Sequence, residues 1–594
     1  MSALQTIPTF LPNKGVVIDK PEEFLSKNFS SADSRNVEFY NEYLRGRLGL
    51  DKFDSQQLSG PILLIEQFWK FNSTWYWMVC TTKDIYKYDF NNKRFDILTP
   101  VYATGTIEIQ AGSLTTVLGS GTSWATNLQA GDYIKIGSGD IHTGSTWYEI
   151  DSVDSDTQIT LKTAAVETSS GTAYVARKIF NGGSQDFWHA RAFYDKNLGE
   201  VWIATNGVDT PIRYTGTGQV QALSNLPTGF VSAKYIEVYK DRVFFLWTVE
   251  SGDQPQRERW CEVGDCEDWD DLDFQDFVEA GYWITGTIVW NGYHIVFRER
   301  DAQVGRYSSS SDSFNYEPSN SCAGCWAPRS ITANDSKIFY YGPDNRFHTW
   351  NLLTDTVISA EIDSYCINFD PNLEQDIFGY QVESRNQIRW FVPYNNPDYM
   401  NVCIVYDYNQ DILHIWEYES EQACNVIGEY LSVEDLYVDD EPWAERYVDE
   451  QDGFWDSRNF LSGAPQIVYG GSDGYIRNAD VGYTDDGTEY TRKFSSSRMN
   501  FDMPDTQKRL WKQQHWLESD ILGEVKVSLK KDDRITSEAL THTISLVDEE
   551  KDVVKANITW DRHGVNFKTI IEAVNHFSLL GWLNYLYAKG KSNR

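Results

Sequence analysis

The chain repeats a unit of about 44 to 50 residues that pairs an apolar strand, a polar turn and a second strand rich in aromatic residues. Clear copies begin at residues 234, 282, 328 and 378, and weaker copies begin at residues 60, 188 and 465. This spacing is close to the length of one four-stranded β-propeller blade. We therefore predict a mainly β fold whose largest part is a β-propeller of six to seven blades. An irregular β-sandwich with accidental spacing is the alternative.

Helical periodicity is almost absent from the sequence. From residue 59 onward, short β-branched and aromatic runs alternate with clusters of Asn, Asp and Gly, which is typical of strands and hairpins. Only residues 34–46 and 565–576 have a modest helical pattern. We expect the few helices of the protein in these two segments.

Composition changes divide the chain further. Residues 101–176 are rich in Gly, Ser and Thr, and removing them restores the blade spacing, so they predict a small β-barrel or sandwich inserted into the first blade. Long alternating strands after residue 487 predict a C-terminal β-sandwich that docks partners. The predicted division is an N-terminal arm at 1–58, a propeller at 59–100 and 177–486, the insert at 101–176, and the sandwich at 487–594.

The C-terminal part is the most basic part of an otherwise acidic chain. Its cations are a candidate docking surface for a partner, with an ordinary solvated strand face as the alternative. The candidate docking residues are Lys508, Arg509, Lys512, Lys526, Lys530 and Lys531.

The charge balance excludes two classes of partner. With 52 Lys and Arg against 87 Asp and Glu, the net charge is −35, which argues against a surface that grips nucleic acid or anionic membrane. Aromatic residues make up 15% of the chain, so the acidity does not indicate disorder. No apolar run has the length of a membrane helix, and we expect no membrane insertion. The eight scattered cysteines indicate reduced thiols in a protein made in a cytoplasm.

Residues 428–456 concentrate eleven acidic side chains around aromatic ones. A solvated loop inside the last blade is one interpretation, and an acidic loop that narrows a pore or contacts a partner is the other. The candidate lumen or gate residues are Glu434, Asp435, Asp439, Asp440, Glu441, Asp449 and Glu450.

Sequence signatures of catalysis are missing. The chain has no P-loop, no dinucleotide fingerprint, no zinc protease helix and no serine hydrolase elbow. Cys322 and Cys325 have metal-ligand spacing, and Cys261 and Cys266 offer two further thiols, but free buried thiols are the simpler interpretation. Paired carboxylates for glycoside hydrolysis stay open because acidic residues are so numerous. We expect no enzyme, no metal and no cofactor.

The N-terminal region carries a resemblance to a known family. Residues 32–49 read ADSRNVEFYNEYLRGRLG after GVVIDKPEEFLSKNFS, and this start resembles the N-terminal signature of short-tailed bacteriophage tail nozzle proteins, the tail tubular protein B family, and related tail hub or packaged-DNA stabilisation proteins. The strand and Gly-Asp-x-x-Asp-Trp turn at 234–271 and the strand pair at 288–308 are similar to blades of that family. The insert resembles a small β-module of phage virion proteins.

The resemblance implies a structural virion protein of the phage tail, synthesised in the host cytoplasm. Such subunits form a homo-oligomeric ring, usually hexameric, that continues the DNA channel below the portal and adaptor, retains the packaged genome and holds tail fibres or a needle. Double-stranded DNA would pass transiently without binding, because an acidic lumen repels phosphates. The alternative is a carbohydrate-binding or carbohydrate-cleaving phage adhesin that uses exposed Trp side chains and paired carboxylates on a propeller face.

Overall fold

The computed structural model is almost entirely β and confirms the predicted fold class. It describes residues 4–9, 15–20, 25, 30–31, 33–40, 43–72, 74–142, 146–309, 313–395, 398–419, 423–430, 465–503, 506–518, 523–531, 539–546 and 553–588.

Six short strands precede the propeller; three of them join the C-terminal sandwich, one joins the last blade, and two pair with each other in a parallel sheet of their own. They are β1 (Leu4–Thr9), β2 (Val16–Val17), β3 (Ser30–Ser31), β4 (Val37–Tyr40), β5 (Tyr43–Gly46) and β6 (Leu50–Lys52).

The first blade is complete before the insert begins. It is formed by β7 (Ile62–Trp69), β8 (Trp75–Thr81), β9 (Ile85–Asp89) and β10 (Arg94–Ile97). The insert follows as an eight-stranded sheet with one short helix, and its elements are β11 (Val101–Tyr102), β12 (Thr106–Gln110), β13 (Ser113–Ser120), α1 (Trp124–Asn127), β14 (Tyr133–Ile136), β15 (Tyr148–Ser155), β16 (Gln158–Leu161), β17 (Ser169–Thr172) and β18 (Tyr174–Arg177).

The insert lies between the first and second blades, so its predicted place inside the first blade is wrong. Its end strands pair, with Val101 opposite Arg177, and therefore the chain leaves and rejoins the propeller at nearly one point. The buried guanidinium of Arg177 lies 3.3 Å from the carboxylate of Asp84, which ties the insert to the first blade.

Blades 2 to 4 are antiparallel four-stranded sheets. Their strands are β19 (His189–Asp195), β20 (Gly199–Thr205), β21 (Ile212–Tyr214) and β22 (Gln221–Ala222); β23 (Ser232–Tyr239), β24 (Arg242–Val249), β25 (Asp253–Trp260) and β26 (Phe274–Asp276); and β27 (Ile284–Trp290), β28 (Tyr293–Arg298), β29 (Ala302–Ser308) and β30 (Ser313–Ser319).

Blades 5 and 6 continue the ring. Their strands are β31 (Thr332–Ala333), β32 (Ile338–Tyr341), β33 (Phe347–Trp350) and β34 (Asp355–Val357); and β35 (Phe378–Val382), β36 (Gln387–Val392), β37 (Val402–Asp407) and β38 (Ile412–Glu417). The short helices of this region are α2 (Asp363–Cys366) and the 3₁₀ turns Glu279–Gly281, Pro328–Ser330, Glu374–Asp376 and Glu383–Arg385.

The seventh blade closes the ring with strands from both ends of the propeller sequence. Strands β39 (Cys424–Tyr430), β40 (Gln466–Gly471) and β41 (Ile476–Ala479) are completed by β6, whose Leu50 pairs with Ala479. The first strand of this blade also packs on the first strand of blade 1, where a Cβ at Gly428 would lie only 2.5 Å from Ile65. The pairing of an N-terminal strand with the last blade fixes the number of blades at seven.

The C-terminal sandwich contains the remaining strands, β42 (Arg492–Ser495), β43 (Lys508–Glu518), β44 (Gly523–Lys531), β45 (Leu540–Leu546), β46 (Val554–Gly564), β47 (Phe567–Ala573) and β48 (Ser578–Ala588). One sheet has the order β42-β47-β44-β45. The other has the order β4-β5-β48-β43-β46, with β1 added to β48. Fully buried Leu510, Val527 and Phe567 belong to the apolar core of the sandwich. The N-terminal segment is therefore divided between the sandwich and the propeller.

Both predicted helical segments are strands. Residues 34–46 contain the hairpin β4–β5, and residues 565–576 contain β47. Their apolar residues pack into the sandwich core, and this tertiary pairing overrides a weak local pattern. Within the described residues, no helix is long and apolar enough to cross a membrane.

Candidate functional site: the basin on the upper face of the propeller

The first strands of the seven blades surround an axial channel. A cavity of about 210 Å³ lies in it and is lined by residues from every blade, among them Leu63, Arg191, Tyr235, Gly286, Arg329, Phe378 and Ile427. Because each blade begins at the axis and runs outward, all first strands point the same way along the channel. We call the end at which these strands begin the upper face.

A larger cavity of about 550 Å³ opens on the upper face over blades 2 to 6, and we call it the upper basin. It is formed by the segments that lead into the first strands and by the turns between second and third strands. The lining side chains that carry polar or aromatic chemistry are Gln185, Asp186, Phe187, His189, Asn206, Lys234, Tyr235, Trp247, Asp253, Trp283, Thr285, Glu299, Trp326, Arg329, Gln375 and Asp376.

Two tryptophans form one wall of the upper basin. Trp247 lies in β24 at a register shift against β25, and its φ of +53° is rare for a residue with a large side chain. Trp283 directly precedes β27, is 50% exposed and meets Trp247 edge to face at a centroid distance of 5.6 Å. A strained backbone that holds an aromatic ring at a cavity wall is a feature typical of binding sites.

Charged groups surround this wall. The indole N–H of Trp247 donates to the Oδ1 of Asp253 at 2.6 Å, and the backbone N–H of Trp283 donates to Glu299 Oε2 at 3.1 Å. The ammonium of Lys234 lies 4.0 Å from the centre of the Trp247 ring. Burial lowers the pKa of Lys234, while the nearby carboxylates of Asp186, Asp253 and Asp376 oppose that shift.

Arg329 forms the floor of the upper basin and also lines the axial channel, so its side chain separates the two cavities. The 3₁₀ turn Pro328–Ser330 positions it. Its guanidinium lies 3.4 Å from the ring centre of Phe187 and 4.7 Å from that of Phe378, and it donates to the carbonyls of Asp376 and Asn425. Burial lowers the pKa of Arg329 to about 9. At neutral pH it is therefore a cation with donors left for a ligand.

Asp376 faces the same floor. Burial raises the pKa of its carboxyl to about 6, and the positive charges of Arg329 and Lys234 limit the rise. The upper basin thus combines flat aromatic faces with hydrogen-bond donors and acceptors. This arrangement is suited to holding a polar molecule with a partly apolar face.

The cysteines do not form a shared site. Cys261 and Cys266 belong to the core between blades 2 and 3, whereas Cys322 and Cys325 belong to the core between blades 4 and 5. All four are buried, and burial raises their pKa values, for example that of Cys261 to about 12. Across the described ranges, no three His, Cys, Asp or Glu side chains are grouped as metal ligands.

The predicted gate residues Glu434, Asp435, Asp439, Asp440, Glu441, Asp449 and Glu450 lie outside the described residues. The chain leaves blade 7 at Tyr430 and enters its second strand at Gln466. The role of these acidic residues stays a prediction.

The predicted docking residues are divided between two sheets. Lys508, Arg509 and Lys512 lie on β43, and Lys526, Lys530 and Lys531 lie on β44. Lys508 cannot dock a partner because it is fully buried and its ammonium donates to the carbonyls of Met503 and Thr506. Arg509 pairs with Asp561, and Lys512 covers the ring of Tyr585 at 4.5 Å. The three lysines of β44 are exposed.

Sequence reasoning missed the upper basin. Trp247, Trp283, Arg329 and Asp376 lie in four different blades or the turns before them, and no short motif contains two of them. One sequence feature could have indicated the basin, namely the position of a residue relative to a blade. Aromatic or charged residues directly before a first strand, such as Trp283 and Arg329, lie on the upper face of a propeller.

The segment that carries the family resemblance forms the joint between the sandwich and the propeller. Arg47, fully buried, donates through its two terminal nitrogens to the carboxylate of Asp485 at 2.9 and 2.5 Å and through Nε to Asn36 at 3.1 Å. Its guanidinium also lies 3.7 Å from the ring centre of Tyr490 and 4.4 Å from that of Tyr418. We call these five residues the joint.

The fold and the site define a seven-bladed β-propeller protein with a polar, aromatic basin on one face and a C-terminal β-sandwich. No family model and no curated protein matches the chain. Among 202 similar chains of solved structures, one belongs to a mitotic checkpoint complex, with 8% identity, 73% of this chain and 93% of that chain covered, and a TM-score of 0.35.

Two further solved structures are similar. The phage phi92 endosialidase is 12% identical over 59% of this chain and 65% of its own, with a TM-score of 0.20. A protein from Lactobacillus plantarum is 12% identical over 62% of this chain and 93% of its own, with a TM-score of 0.24. These likenesses are loose, and the blade assignment rests on the sheet topology of this chain.

Proposed function

We propose that this protein is a structural subunit of a short-tailed phage tail, a nozzle or hub ring that continues the DNA channel below the portal and adaptor. The observation that carries the proposal is the joint. The segment that resembles the nozzle family, residues 32–49, supplies β4, β5 and the Arg47 anchor that fasten the sandwich to the propeller. The family resemblance therefore falls on residues with a structural task.

A ring that holds back a packaged genome must transmit force between its parts without hinging. The joint supports this task because chain segments far apart in sequence cross there. The backbone N–H of Asn36 donates to Ile415 of blade 6 at 3.0 Å, and its side-chain amide donates to Thr491 at 2.9 Å. Arg385 of blade 6 lies 3.4 Å from Glu38 of β4. Propeller and sandwich are thus connected by buried polar contacts as well as by the chain itself.

The acidity of the chain supports a channel that DNA crosses without binding. Six copies at −35 each carry about −210, and like charge of this size repels phosphate. The ring must then be held together by apolar and hydrogen-bonded contacts that offset the repulsion between subunits. Exposed aromatic side chains such as Phe71, at 80% exposure, and Tyr194 are available for such contacts.

The proposed docking surface for the adaptor is the outer face of the sandwich sheet β42-β47-β44-β45. Lys526 and Lys530 are exposed on β44, Lys568 lies on the adjacent strand β47, and Lys493 lies on β42, which pairs with β47 on its other side. Lys493 pairs with Glu572 and Lys568 with Asp33, whereas Lys526 and Lys530 are exposed on the same face.

The test is assembly on the portal and adaptor rings of the same virus. The wild-type chain is expected to co-sediment with the portal–adaptor complex, and K526E/K530E is expected to reduce that binding at least tenfold because two attractions become repulsions. The control K240E/K337E reverses two exposed lysines of the propeller turns and should bind like the wild type. A wild-type chain that fails to bind the complex contradicts the proposed function, whereas equal binding by both variants contradicts only the docking surface.

A further inference from the structure

We infer that the upper basin is a binding site for a neutral carbohydrate, a hexose or N-acetylhexosamine unit of a cell-surface glycan. This site is independent of the proposed ring function, which uses the joint and the sandwich. It is argued from the shape of the cavity, its aromatic wall and its mixture of hydrogen-bonding groups.

The cavity has the size and accessibility for one or two sugar units. Its volume of about 550 Å³ lies within the range of small-ligand sites, roughly 300 to 1,000 Å³. A neighbouring cavity of about 370 Å³ continues over blades 6 and 7 and shares Gln185, Phe187, Arg329 and Asp376 with the upper basin. A chain of sugars therefore has room to extend along the upper face.

The aromatic wall offers the surface on which a sugar ring packs. One face of a hexopyranose is formed by C–H groups, whose slight positive charge is attracted by the negative face of an indole. Trp283 is half exposed at the basin, and Trp247 is held behind it by the bond to Asp253 and by the strained backbone of β24. The wall is thus set in position before a ligand arrives, which lowers the entropic cost of binding.

The polar groups match sugar hydroxyls, each of which donates and accepts at once. Arg329 and Lys234 supply donors, and Asp186, Asp253, Asp376 and Glu299 supply acceptors. The donors of Arg329 used within the protein go to two backbone carbonyls. Among the described residues, no carboxylate oxygen lies close enough to its guanidinium to form an ion pair. Arg329 lines both cavities and has donors beyond the two used within the protein.

The charge balance selects a neutral ligand. Four carboxylates against two cations leave the basin negative near pH 7, above the pKa of about 6 of Asp376. A sialic acid, a uronic acid or a sulfated sugar would meet this charge and be repelled. A neutral hydroxyl-rich ring gains hydrogen bonds with both kinds of group and carries no such penalty.

The test uses the full-length chain on an array of defined glycans that includes neutral hexose and N-acetylhexosamine oligosaccharides beside sialylated, uronic and sulfated ones. Binding to neutral glycans is expected. The Kd for the best of them is then measured by calorimetry for the wild type and two variants. W283A should raise the Kd by about tenfold because it removes the stacking surface. K234M should raise it by a smaller factor, about threefold, because it removes one donor.

W69A is the matched control. Trp69 is also exposed, at 43%, but it ends a first strand and therefore lies on the opposite face of the propeller. It should leave the Kd unchanged, and thermal unfolding of each variant verifies that the propeller is folded. The proposal is overturned if no glycan binds, if only acidic glycans bind, or if W283A and W69A bind as tightly as the wild type. None of these results bears on ring assembly, so each proposal can be refuted without refuting the other.

Discussion

At the scale of single residues, a buried carboxyl group between blades 3 and 4 has the clearest consequence for stability. Glu258 is fully buried, and the hydroxyl of Tyr316 lies beside its carboxyl group, although no donor among the described residues makes a hydrogen bond of normal geometry to it. Its neighbour His294 bonds instead to Tyr316 at 2.8 Å and to Thr287 at 2.9 Å. Burial raises the pKa of Glu258 to about 8 and lowers that of His294 to about 4, so both side chains are neutral in the folded protein near pH 7.

The raised pKa of Glu258 predicts a pH-dependent loss of stability. Between its ordinary pKa of 4.5 and about 8, the unfolded chain releases a proton that the folded protein keeps, so the free energy of unfolding falls as the pH rises through this window. E258Q cannot ionise, so its stability relative to the wild type should be greater at pH 8.5 than at pH 4.5, by about 4 kcal/mol.

Thermal unfolding at the two pH values measures the difference in stability between E258Q and the wild type, which we call the gap. E317Q alters an exposed carboxylate of the neighbouring blade 4 and serves as the control. A gap between E258Q and the wild type that is the same at both pH values would show that Glu258 ionises normally in the folded protein.

At the scale of elements, the joint between propeller and sandwich depends on one buried ion pair. Arg47 is fully buried against Asp485, so its removal leaves an uncompensated carboxylate among the rings of Tyr418 and Tyr490. R47M is therefore expected to destabilise the protein by about 3 kcal/mol.

R346M is the matched comparison. The pair of Arg346 with Asp363 is as short, at 2.5 Å, but the side chain of Arg346 is 44% exposed, and water replaces the lost contact. Its loss should cost less than about 1 kcal/mol. Calorimetric melting compares the two variants, and equal shifts in Tm would mean that the joint contributes no more than a surface ion pair.

Element positions also explain which parts of the fold the sequence could predict. The blades at 234, 282 and 378 are recognisable because strands close in sequence pair with one another. The seventh blade can be recognised only in part from the sequence. Its outer strand is Leu50–Lys52, and no local pattern couples that strand to Ala479. The two predicted helices were wrong for a related reason: β5 pairs with β48 as well as with its hairpin neighbour, and β47 pairs with β44 and β42, which are remote in sequence.

The candidate site was harder to predict than the fold for the same physical reason. Lys508 has the sequence context of a surface lysine, but the turn at Met503 and Thr506 folds back to cover its ammonium. Trp283 and Arg329 meet at one cavity only because the ring of blades closes. A periodic pattern specifies the blades, whereas the upper basin depends on how seven blades are arranged around an axis.

At the scale of the whole molecule, three properties of the chain support the proposed role. The propeller is closed by the N-terminal strand β6, the sandwich is built partly from N-terminal strands, and the chain carries a charge of −35. A subunit of this kind is suited to a ring that DNA crosses without binding, and its upper basin is then free to meet a glycan.

Electron microscopy of the purified full-length chain, alone and on its portal–adaptor complex, tests the central claim most directly. The account predicts closed rings with a central channel, about six subunits around, in which the sandwich faces the adaptor. Particles that remain single propellers in both samples would contradict it.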